Sequence, residues 1–490
     1  MTERIDVVLI NPGDRKQVYQ GLGTELAAIE PPFWVAVLAA YLRQEGFQVA
    51  IIDANAENIA PDETAQRAAA LKPLLSCVVV YGSQPSASTQ NMTIAGAICS
   101  ALTQQKAGRV AISGLHPSAL PERTLREEAV DFVIDGEGAD SLKILLEELT
   151  LSLPDLSRVP GLWYHDATTI RSNPRANLIG DLDSYLPIAA WDLLPMHLYR
   201  AHNWHCFDDI EHRSPYAAIY TSLGCPFNCD FCCINAPFGK PGIRYRSPER
   251  VVDEINLLVE KYGVRNLKIV DELFVLKEEH YIKIVEGIIA NKLDLNIWAY
   301  ARVDTVKPEN LARMKQAGIN WLALGIESAN PDVRDGSNKR MQSRDIKALV
   351  SMIQEAGIRI IGNFIFGLPD DTLETMEETL QLAMDLNCEF INFYCAMAYP
   401  GSKLYDIAMS EGWELPTEWH NFSQHGYGMF PLPTRALAAA DVVKFRDDAF
   451  HRYFANPLYL DMVEKKFGVI VKDHLKEMSS SRLKRKLLGD

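Results

Sequence analysis

The chain has 490 residues, 48% of them apolar, and a formal net charge of −15. This length suits about three domains, and the acidic balance argues against a general nucleic-acid-binding protein, whose phosphate contacts need a basic surface. Because we find no signal peptide, no apolar run near the roughly 20 residues of a membrane span, and no secreted disulfide framework, we expect the chain in the cytoplasm.

Residues 1–150 alternate between short apolar runs and helical segments. Five runs, each closed by a turn residue, predict strands: DVVLINP, QVAIIDA, CVVVYG, RVAISG and DFVIDG. Helices such as PPFWVAVLAAYLRQEGF lie between them, with proline at the start and Gly46 near the end. The alternation predicts an α/β fold, here a Rossmann-like parallel sheet that binds ligands beyond the carboxyl ends of its strands. The piece YQGLGTEL lacks the third glycine of a dinucleotide fingerprint, which argues against NAD or flavin.

Residues 151–215 lack clear periodicity and are interpreted as a linker. Residues 216–400 show a second alternating series with six candidate strands: AAIYTS, NLKIVD, LNIWAY, WLALGIE, IIGNFIFG and FINFYCA. These units predict a (β/α)6 partial TIM barrel with its chemistry at the strands' carboxyl ends. Residues 401–490 are interpreted as a mainly helical C-terminal domain. Its last run, SRLKRKLLGD, is expected to be a solvated helix end or a weak surface contact, and residues 418–430 are the expected place for substrate contacts.

Three of the nine cysteines stand at spacings of four and three, just after the first barrel strand: Cys225, Cys229 and Cys232. Thiolates at such spacings ligate zinc or an iron–sulfur cluster. A structural zinc site needs a fourth ligand, which here would be the adjacent Cys233 or a distant residue such as His205 or His212. Three thiolates suit a four-iron cluster better, because the fourth iron then stays open to a substrate. We expect a cluster, with zinc, or else buried or redox-active cysteines, as the alternatives.

The Cys-x3-Cys-x2-Cys spacing, with Phe231 just before the last cysteine, resembles the signature of radical S-adenosylmethionine (SAM) enzymes. Its position after the first strand of a six-unit barrel is similar as well. The resemblance implies a [4Fe-4S] cluster whose open iron chelates SAM, with Phe231 in the cofactor-binding loop. It also implies that one electron, from a donor such as flavodoxin or ferredoxin, cleaves SAM to a 5′-deoxyadenosyl radical that abstracts a substrate hydrogen.

Under this resemblance the barrel offers groups to the ammonium, carboxylate and adenine of SAM. We expect Asp271 and Glu272, which follow the second barrel strand, to accept from the ammonium or to line the substrate site. Arg302 after the third strand is expected to pair with the carboxylate, and Glu327 after the fourth strand to make a polar contact to SAM. Each of these carboxylates has a helix cap or a surface charge as its alternative role.

Two glycines and two further cysteines belong to the same barrel. Gly362 and Gly367 on the fifth strand are expected to let the backbone approach the adenine closely. Cys233 and Cys395 are expected to be small buried hydrophobes. A catalytic role is their alternative, because some radical enzymes use a second cysteine.

The order of the domains resembles the cobalamin-binding subclass of radical SAM enzymes, and the segments SGLHPSALPERTL and DFVIDGEG are part of that resemblance. It implies a cobalamin between the two domains. The chain departs from other cobalamin proteins because it lacks an Asp-x-His-x-x-Gly motif. His116, the nearest strand-end histidine, is expected either at the cofactor or as a hydrogen-bonded turn residue. Ser83, Ser86 and Ser88 are expected to donate to the corrin edge or to cap a helix.

Three functions are compatible with these features. The first is a cobalamin-dependent methyltransferase acting on an unactivated carbon, in which one SAM supplies the radical and a second supplies the methyl group. The second keeps radical SAM chemistry without methyl transfer, as in a cyclase, a dehydratase or a rearrangement enzyme. The third is a non-catalytic zinc-binding interaction protein. The expected substrate is a small molecule, such as a metabolite, a sugar or a lipid head.

Overall fold

Alternating strands and helices fill most of the chain in a computed structural model that describes residues 5–20, 27–82, 85–341 and 345–490. In these ranges the strands are β1 Val7–Asn11, β2 Val49–Asp53, β3 Leu75–Val80, β4 Arg109–Gly114, β5 Phe132–Ile134, β6 Leu162–Asp166, β7 Thr169–Ser172, β8 Tyr216–Ile219, β9 Ser222–Leu223, β10 Arg244–Tyr245, β11 Asn266–Ile269, β12 Asn296–Arg302, β13 Ile319–Glu327, β14 Arg359–Phe366 and β15 Phe390–Cys395.

The helices connect these strands and build the C-terminal region. They are α1 Arg15–Tyr19, α2 Phe33–Gln44, α3 Ala54–Glu57, α4 Pro61–Leu71, α5 Pro85–Gln90, α6 Met92–Gln105, α7 Leu115–Ala119, α8 Pro121–Glu127, α9 Ala139–Leu149, α10 Leu182–Tyr185, α11 Pro248–Tyr262, α12 Glu278–Ala290, α13 Leu311–Gln316, α14 Pro331–Gly336, α15 Ile346–Glu355, α16 Leu373–Leu386, α17 Lys403–Glu411, α18 Ala439–Phe454, α19 Pro457–Phe467 and α20 Val469–Ser480. Among the described residues, none of them combines the length and apolarity that a membrane crossing requires.

The first sheet contains all five strands predicted for the N-terminal domain. Its strand order is β2-β1-β3-β4-β5-β6-β7, and the first five strands pair in parallel. The chain moves from β1 to β2 on one side and then to β3 on the other. The carboxyl ends of β1 and β3 therefore flank a topological switch point, where parallel α/β sheets bind their ligands. The predicted piece YQGLGTEL falls largely outside the described residues.

The segment interpreted as a linker supplies the last two strands of this sheet. Strand β6 pairs with β5 in antiparallel fashion, and β7 pairs with β6. The turn between them spans only two residues, so the segment forms a tight hairpin on the sheet edge. Because the buried residues in β6 are only Leu162 and Tyr164, the strand shows too short an apolar pattern to stand out in the sequence.

The second sheet contains the six strands predicted for the barrel. Its order is β15-β14-β13-β12-β11-β8, and every neighbouring pair is parallel. Strands β8 and β15 are its two edges, so the sheet is an open, partial barrel, as predicted. The Cys-rich segment begins just after β8 and the short strand β9. The chain then returns through β10, which pairs with β9 in antiparallel fashion.

Local signals explain where the barrel helices begin and end. The Ser247 hydroxyl accepts a hydrogen bond from the Arg250 amide at 3.4 Å, and Pro248 occupies the first helical position of α11. Gly263 ends that helix with a φ of +65°, a left-handed conformation that glycine adopts at little cost. A serine cap followed by proline is a common start signal of an α-helix.

The C-terminal region packs against the open edge of the barrel. Tyr453 of α18 donates a hydrogen bond to the carbonyl of Cys388 at 2.7 Å, just before β15. Beyond α20 the final ten residues fold back, and the expectation of a solvated helix end is wrong for Arg485, which is 1% exposed. The Arg485 guanidinium donates to Asp447 at 2.9 Å and to the Gly426 carbonyl at 2.9 Å. These partners replace the water that a surface arginine would have.

Candidate active site

A cavity of about 1250 Å³ lies where the two sheets and the C-terminal region meet. Asn11, the last residue of β1, and Tyr81, directly after β3, line it from the first sheet. Arg302 and Glu327, the last residues of β12 and β13, line it from the barrel. The carboxyl ends of both sheets therefore face one shared space, which is where both folds carry out their chemistry.

The cysteine loop forms one wall of this cavity. Cys225, Cys229 and Cys232 all line it, are partly exposed and form no disulfide. The loop folds tightly, because a Cβ on Gly224 would stand 2.5 Å from the carbonyl oxygen of Gly242. The Gly242 amide donates to the Cys225 carbonyl at 2.9 Å, and the Cys232 amide donates to the Cys229 carbonyl at 3.0 Å. The three thiols are thereby presented from a closed turn.

Two neighbouring segments hold the outside of the loop. The Asp230 amide donates to the Ser337 carbonyl at 3.1 Å, and the Leu404 amide donates to the Asp230 carbonyl at 2.7 Å. The Asn338 side chain donates to the Asn228 carbonyl at 2.7 Å. The loop is thus fixed by backbone contacts with the segment after α14 and with the start of α17.

The donor set fits an iron–sulfur cluster. Burial raises the pKa of the Cys225 thiol to about 11 and raises those of Cys229 and Cys232 as well. A bound metal must therefore displace these protons, because thiolates are the form that ligates. Within the described ranges, no three Cys, His, Asp or Glu side chains converge closely enough to hold a single ion. Three thiols on one cavity wall suit a cluster, in which each thiolate meets a different iron.

Arg302 lies against the cysteine loop. Its guanidinium stands 3.9 Å from the ring centroid of Phe227, a cation–π contact. Its Nε donates to Asp304 at 2.9 Å, and one Nη donates to the Arg340 carbonyl at 2.7 Å. The side chain is 4% exposed, so these contacts fix it at the cavity wall.

Glu327 is held in a strained backbone conformation at the cavity. Its φ is +66°, and the pairing of β13 with β14 is irregular between Gly325 and Glu327. Its carboxylate forms a buried ion pair with Lys339, a residue that sequence reasoning missed. A Cβ on Gly325 would stand 2.7 Å from Glu327 Oε1 and 2.7 Å from Lys339 Nζ, so a larger residue there would displace the charged ends of this pair. Backbone strain that surrounding contacts hold in place is found mostly at functional sites.

The adjacent carboxylates Asp271 and Glu272 have different positions. Glu272 lines the cavity, and burial together with the nearby Asp271 raises its pKa to about 8. Asp271 is not among the lining residues and is 1% exposed. It accepts hydrogen bonds from the Thr221 amide, the Thr221 hydroxyl and the Ser222 hydroxyl, each at 2.6 Å. Asp271 therefore holds the strand end that leads into the cysteine loop.

The structure does not bring Gly362 or Gly367 to the cavity. A Cβ on Gly362 would stand 2.9 Å from the ring of Phe364, and one on Gly367 would stand 2.4 Å from the side chain of Val442 in α18. Close packing thus accounts for both glycines, and Gly367 also has a φ of +79°, which favours glycine. The lining residues from this part of the barrel include Asn363 and Asn392, whose side chains are hydrogen bonded at 2.9 Å. In the sequence, these two residues stand out only as asparagines within otherwise apolar strands.

The predicted serines occupy different places. Ser86 lines the cavity, and Ser83 lies outside the described residues. Ser88 is fully buried, donates to the Val80 carbonyl and accepts a hydrogen bond from the His116 amide at 3.0 Å. Ser88 therefore fixes the end of β3 to the start of α7.

His116 lies in α7 and is buried outside the cavity lining. Its Nδ1 lies 3.2 Å from the Thr89 hydroxyl, and its ring meets Trp419 edge-on with centroids 4.4 Å apart. Burial lowers its pKa to about 3. These contacts favour the hydrogen-bonded alternative.

The two extra cysteines differ in position, because Cys395 lines the cavity whereas Cys233 is buried outside it.

The switch point of the first sheet forms the opposite wall of the cavity. Trp34 stacks on Tyr81 with centroids 4.5 Å apart, and both line the cavity together with Ser86 and Gln90. Gly82 follows β3 with a φ of +75°, and its missing Cβ leaves room beside Ala87. A flat aromatic surface with polar side chains beside it fits a large ring cofactor such as cobalamin.

Two family models match the chain over separate parts. The model described as "Radical SAM superfamily" matches residues 219–383, and the one described as "B12 binding domain" matches residues 19–146. An uncharacterised methyltransferase of Pyrococcus horikoshii is 31% identical over 418 residues, which are 85% of this chain and 86% of the relative. The anaerobic magnesium-protoporphyrin IX monomethyl ester cyclase of Rubrivivax gelatinosus is 26% identical over 93% of this chain and 78% of the relative.

Solved structures have the same fold over nearly the whole chain. The radical SAM methyltransferase TsrM from Kitasatospora setae, solved with cobalamin and a [4Fe-4S] cluster, aligns with a TM-score of 0.69 at 18% identity, over 93% of this chain and 90% of that chain. The cobalamin-dependent SAM radical enzyme OxsB aligns with a TM-score of 0.67 at 15% identity, over 98% and 72%. The arrangement of sheet, partial barrel and C-terminal region is therefore shared.

Proposed function

The chain belongs to the radical SAM superfamily and carries a B12-binding domain before its partial barrel, and from this premise we propose that it transfers a methyl group from SAM to an unactivated carbon. It is a radical SAM enzyme whose cofactors are a [4Fe-4S] cluster, SAM and cobalamin. The observation that supports methyl transfer is the shared cavity, because the three cluster cysteines and the switch point of the B12-binding sheet line one space.

Each cofactor has residues that would hold it. Cys225, Cys229 and Cys232 would ligate the cluster, and the wall of Trp34 and Tyr81 would face the cobalamin ring. When bound, the cluster supplies the electron that cleaves SAM, and cobalamin supplies the methyl group that it has received from SAM. The protein positions the reacting groups and excludes water from the space between the two walls.

The barrel residues at the cavity would bind SAM. Arg302, fixed beside the cysteine loop, would meet its carboxylate. Glu272 lines the cavity, and no hydrogen bond to another described residue holds its carboxyl group, which would accept from the ammonium group. The Glu327–Lys339 pair would contact the remaining polar groups of SAM. Asn363 and Asn392 offer amide donors and acceptors at the same end of the barrel.

The substrate would be a small molecule that enters from the side of the C-terminal region. Gln424 and His425, within the segment expected to contact substrate, line the cavity there. An electron donor such as flavodoxin or ferredoxin would reduce the cluster. We keep the cytoplasm as the proposed location, because a reducing compartment preserves the thiolates that the cluster needs.

The test needs no knowledge of the substrate. The chain is reconstituted anaerobically with iron, sulfide and hydroxocobalamin, reduced, and given SAM. Methyl transfer predicts S-adenosylhomocysteine in addition to 5′-deoxyadenosine, and trideuteromethyl-SAM added to a cell extract should label a product. Formation of 5′-deoxyadenosine without S-adenosylhomocysteine would instead favour cyclisation, dehydration or rearrangement. Zinc in place of iron would contradict the cluster.

Glu327→Gln should weaken SAM binding by about tenfold while leaving the cluster intact. The substitution keeps the side-chain shape but removes the charge that pairs with Lys339. The affinity for SAM is measured by equilibrium dialysis on the iron-loaded protein, and iron content is measured in parallel. Glu286→Gln, at an exposed ion pair with Arg313, is the matched control. Unchanged affinity would remove Glu327 from the SAM site.

A further inference from the structure

The turn after β5 contacts the segment that closes the cysteine loop. Glu137 accepts hydrogen bonds from both terminal nitrogens of Arg244, at 2.7 and 3.0 Å. Arg244 belongs to β10, the strand that follows the cysteine loop. This strand pairs with β9, which ends just before the loop. The two side chains are 7% and 17% exposed. A bidentate pair of this kind fixes both the distance and the angle between its partners.

A second pair from the same turn reaches the other side of the loop. Asp135 accepts a hydrogen bond from Arg175 Nε at 2.7 Å. Arg175 also donates to the Ala236 carbonyl at 2.9 Å and to the Ser118 carbonyl at 3.0 Å. Ala236 lies four residues after Cys232. The turn therefore holds the end of the cysteine loop through Arg175. It also holds β10, the strand that follows the loop, through Arg244.

The same turn contacts the wall of Trp34 and Tyr81, which would face cobalamin. Tyr81, which stacks on Trp34 at the cavity, donates a hydrogen bond to the Gly136 carbonyl at 3.3 Å. Gly136 has a φ of +114° and Gly138 a φ of +88°, conformations that require glycine at both places. Three consecutive residues thus join the cobalamin wall to both sides of the cluster loop.

We propose that Asp135 and Glu137 are positioning residues that set the distance and orientation between the cluster and cobalamin. This inference rests on the proposed function, because both cofactors must act on one substrate carbon. Misplacing a reacting group by about 1 Å can cost two orders of magnitude in rate. Buried ion pairs are weak evidence for stability, and fixing a geometry is their better attested use.

The test compares Glu137→Ala with the wild type after loading with the cluster and with cobalamin. The cobalt(II) form of cobalamin and the reduced cluster are both paramagnetic, so pulsed EPR measures the magnetic coupling between them. We expect iron and cobalamin contents to remain within about twofold and the coupling to change by about twofold or become widely distributed. Glu137→Gln should give an intermediate result. The control Glu286→Ala, at an exposed ion pair, should leave the coupling unchanged.

Arg175→Lys supplies a second, independent variant, because lysine cannot reproduce the three contacts of the guanidinium. It should change the coupling in the same way. Unchanged coupling in both variants would overturn the proposal, and so would loss of iron in both, which would assign the pairs to holding the cluster. Absence of coupling in the wild type would overturn it as well. A wild type that shows coupling but forms no S-adenosylhomocysteine would refute methyl transfer alone.

Discussion

Replacing Cys225, Cys229 and Cys232 together with alanine is expected to reduce iron from about four atoms per chain to background and to abolish formation of 5′-deoxyadenosine. The three thiols line one cavity wall and are presented by one closed turn. Without them the described cavity lining offers only Cys395 as a thiol. Iron, sulfide and SAM cleavage are measured after anaerobic reconstitution.

Two single substitutions serve as controls for this prediction. Cys233→Ala alters the thiol next to Cys232, and this thiol of Cys233 is buried outside the cavity. Cys395→Ala alters a thiol on the cavity wall that lies in β15, away from the cysteine loop. Both variants should keep the full iron content. Retained SAM cleavage in the triple variant would contradict the assignment of the cluster, and iron loss in the Cys233 variant would place the ligand set differently.

The strands were predictable because their signal is local. Each of the eleven parallel strands is a short apolar run closed by a turn residue, and the alternation with helices fixes the parallel pairing. The cysteine loop was predictable for the same reason, since its three cysteines lie within eight residues. The strands β6 and β7 were missed because most of their residues are at least partly exposed, which leaves only a weak apolar pattern.

Contacts between distant segments could not be predicted. Lys339 pairs with Glu327 only because the segment after α14 returns to the barrel end. Gly367 is required by the side chain of Val442, which lies in a helix of the C-terminal region. Arg485 is buried because loop carbonyls far away in sequence accept its hydrogen bonds. In each case the reason for the residue lies in the tertiary arrangement, which no local pattern encodes.

The neighbours Asp271 and Glu272 illustrate the same limit within one strand end. The sequence placed both at the carboxyl end of β11, which the structure confirms. Successive side chains point to opposite sides of an extended chain, so one of them could be expected to face away from the cavity. Which one does so depends on the position of Thr221 and Ser222, which supply the three hydrogen-bond donors to Asp271.

Asp271→Ala is therefore expected to lower the free energy of unfolding by about 3 kcal/mol, because it leaves an amide and two hydroxyl groups buried without their acceptor. The loosened segment leads directly into the cysteine loop, so iron content after desalting should fall severalfold. Denaturant unfolding of the apoprotein and iron analysis of the reconstituted protein measure the two effects separately.

Glu272→Ala provides the matched comparison, since it removes a carboxyl group from the adjacent position. Glu272 lines the cavity and is not needed to hold the strand end, so the free energy of unfolding should change by less than about 1 kcal/mol and iron should be retained. Its expected effect is on SAM affinity. If both variants kept their iron and only Asp271→Ala weakened SAM binding, Asp271 would be the SAM ligand and the hydrogen bonds to Thr221 and Ser222 would be incidental.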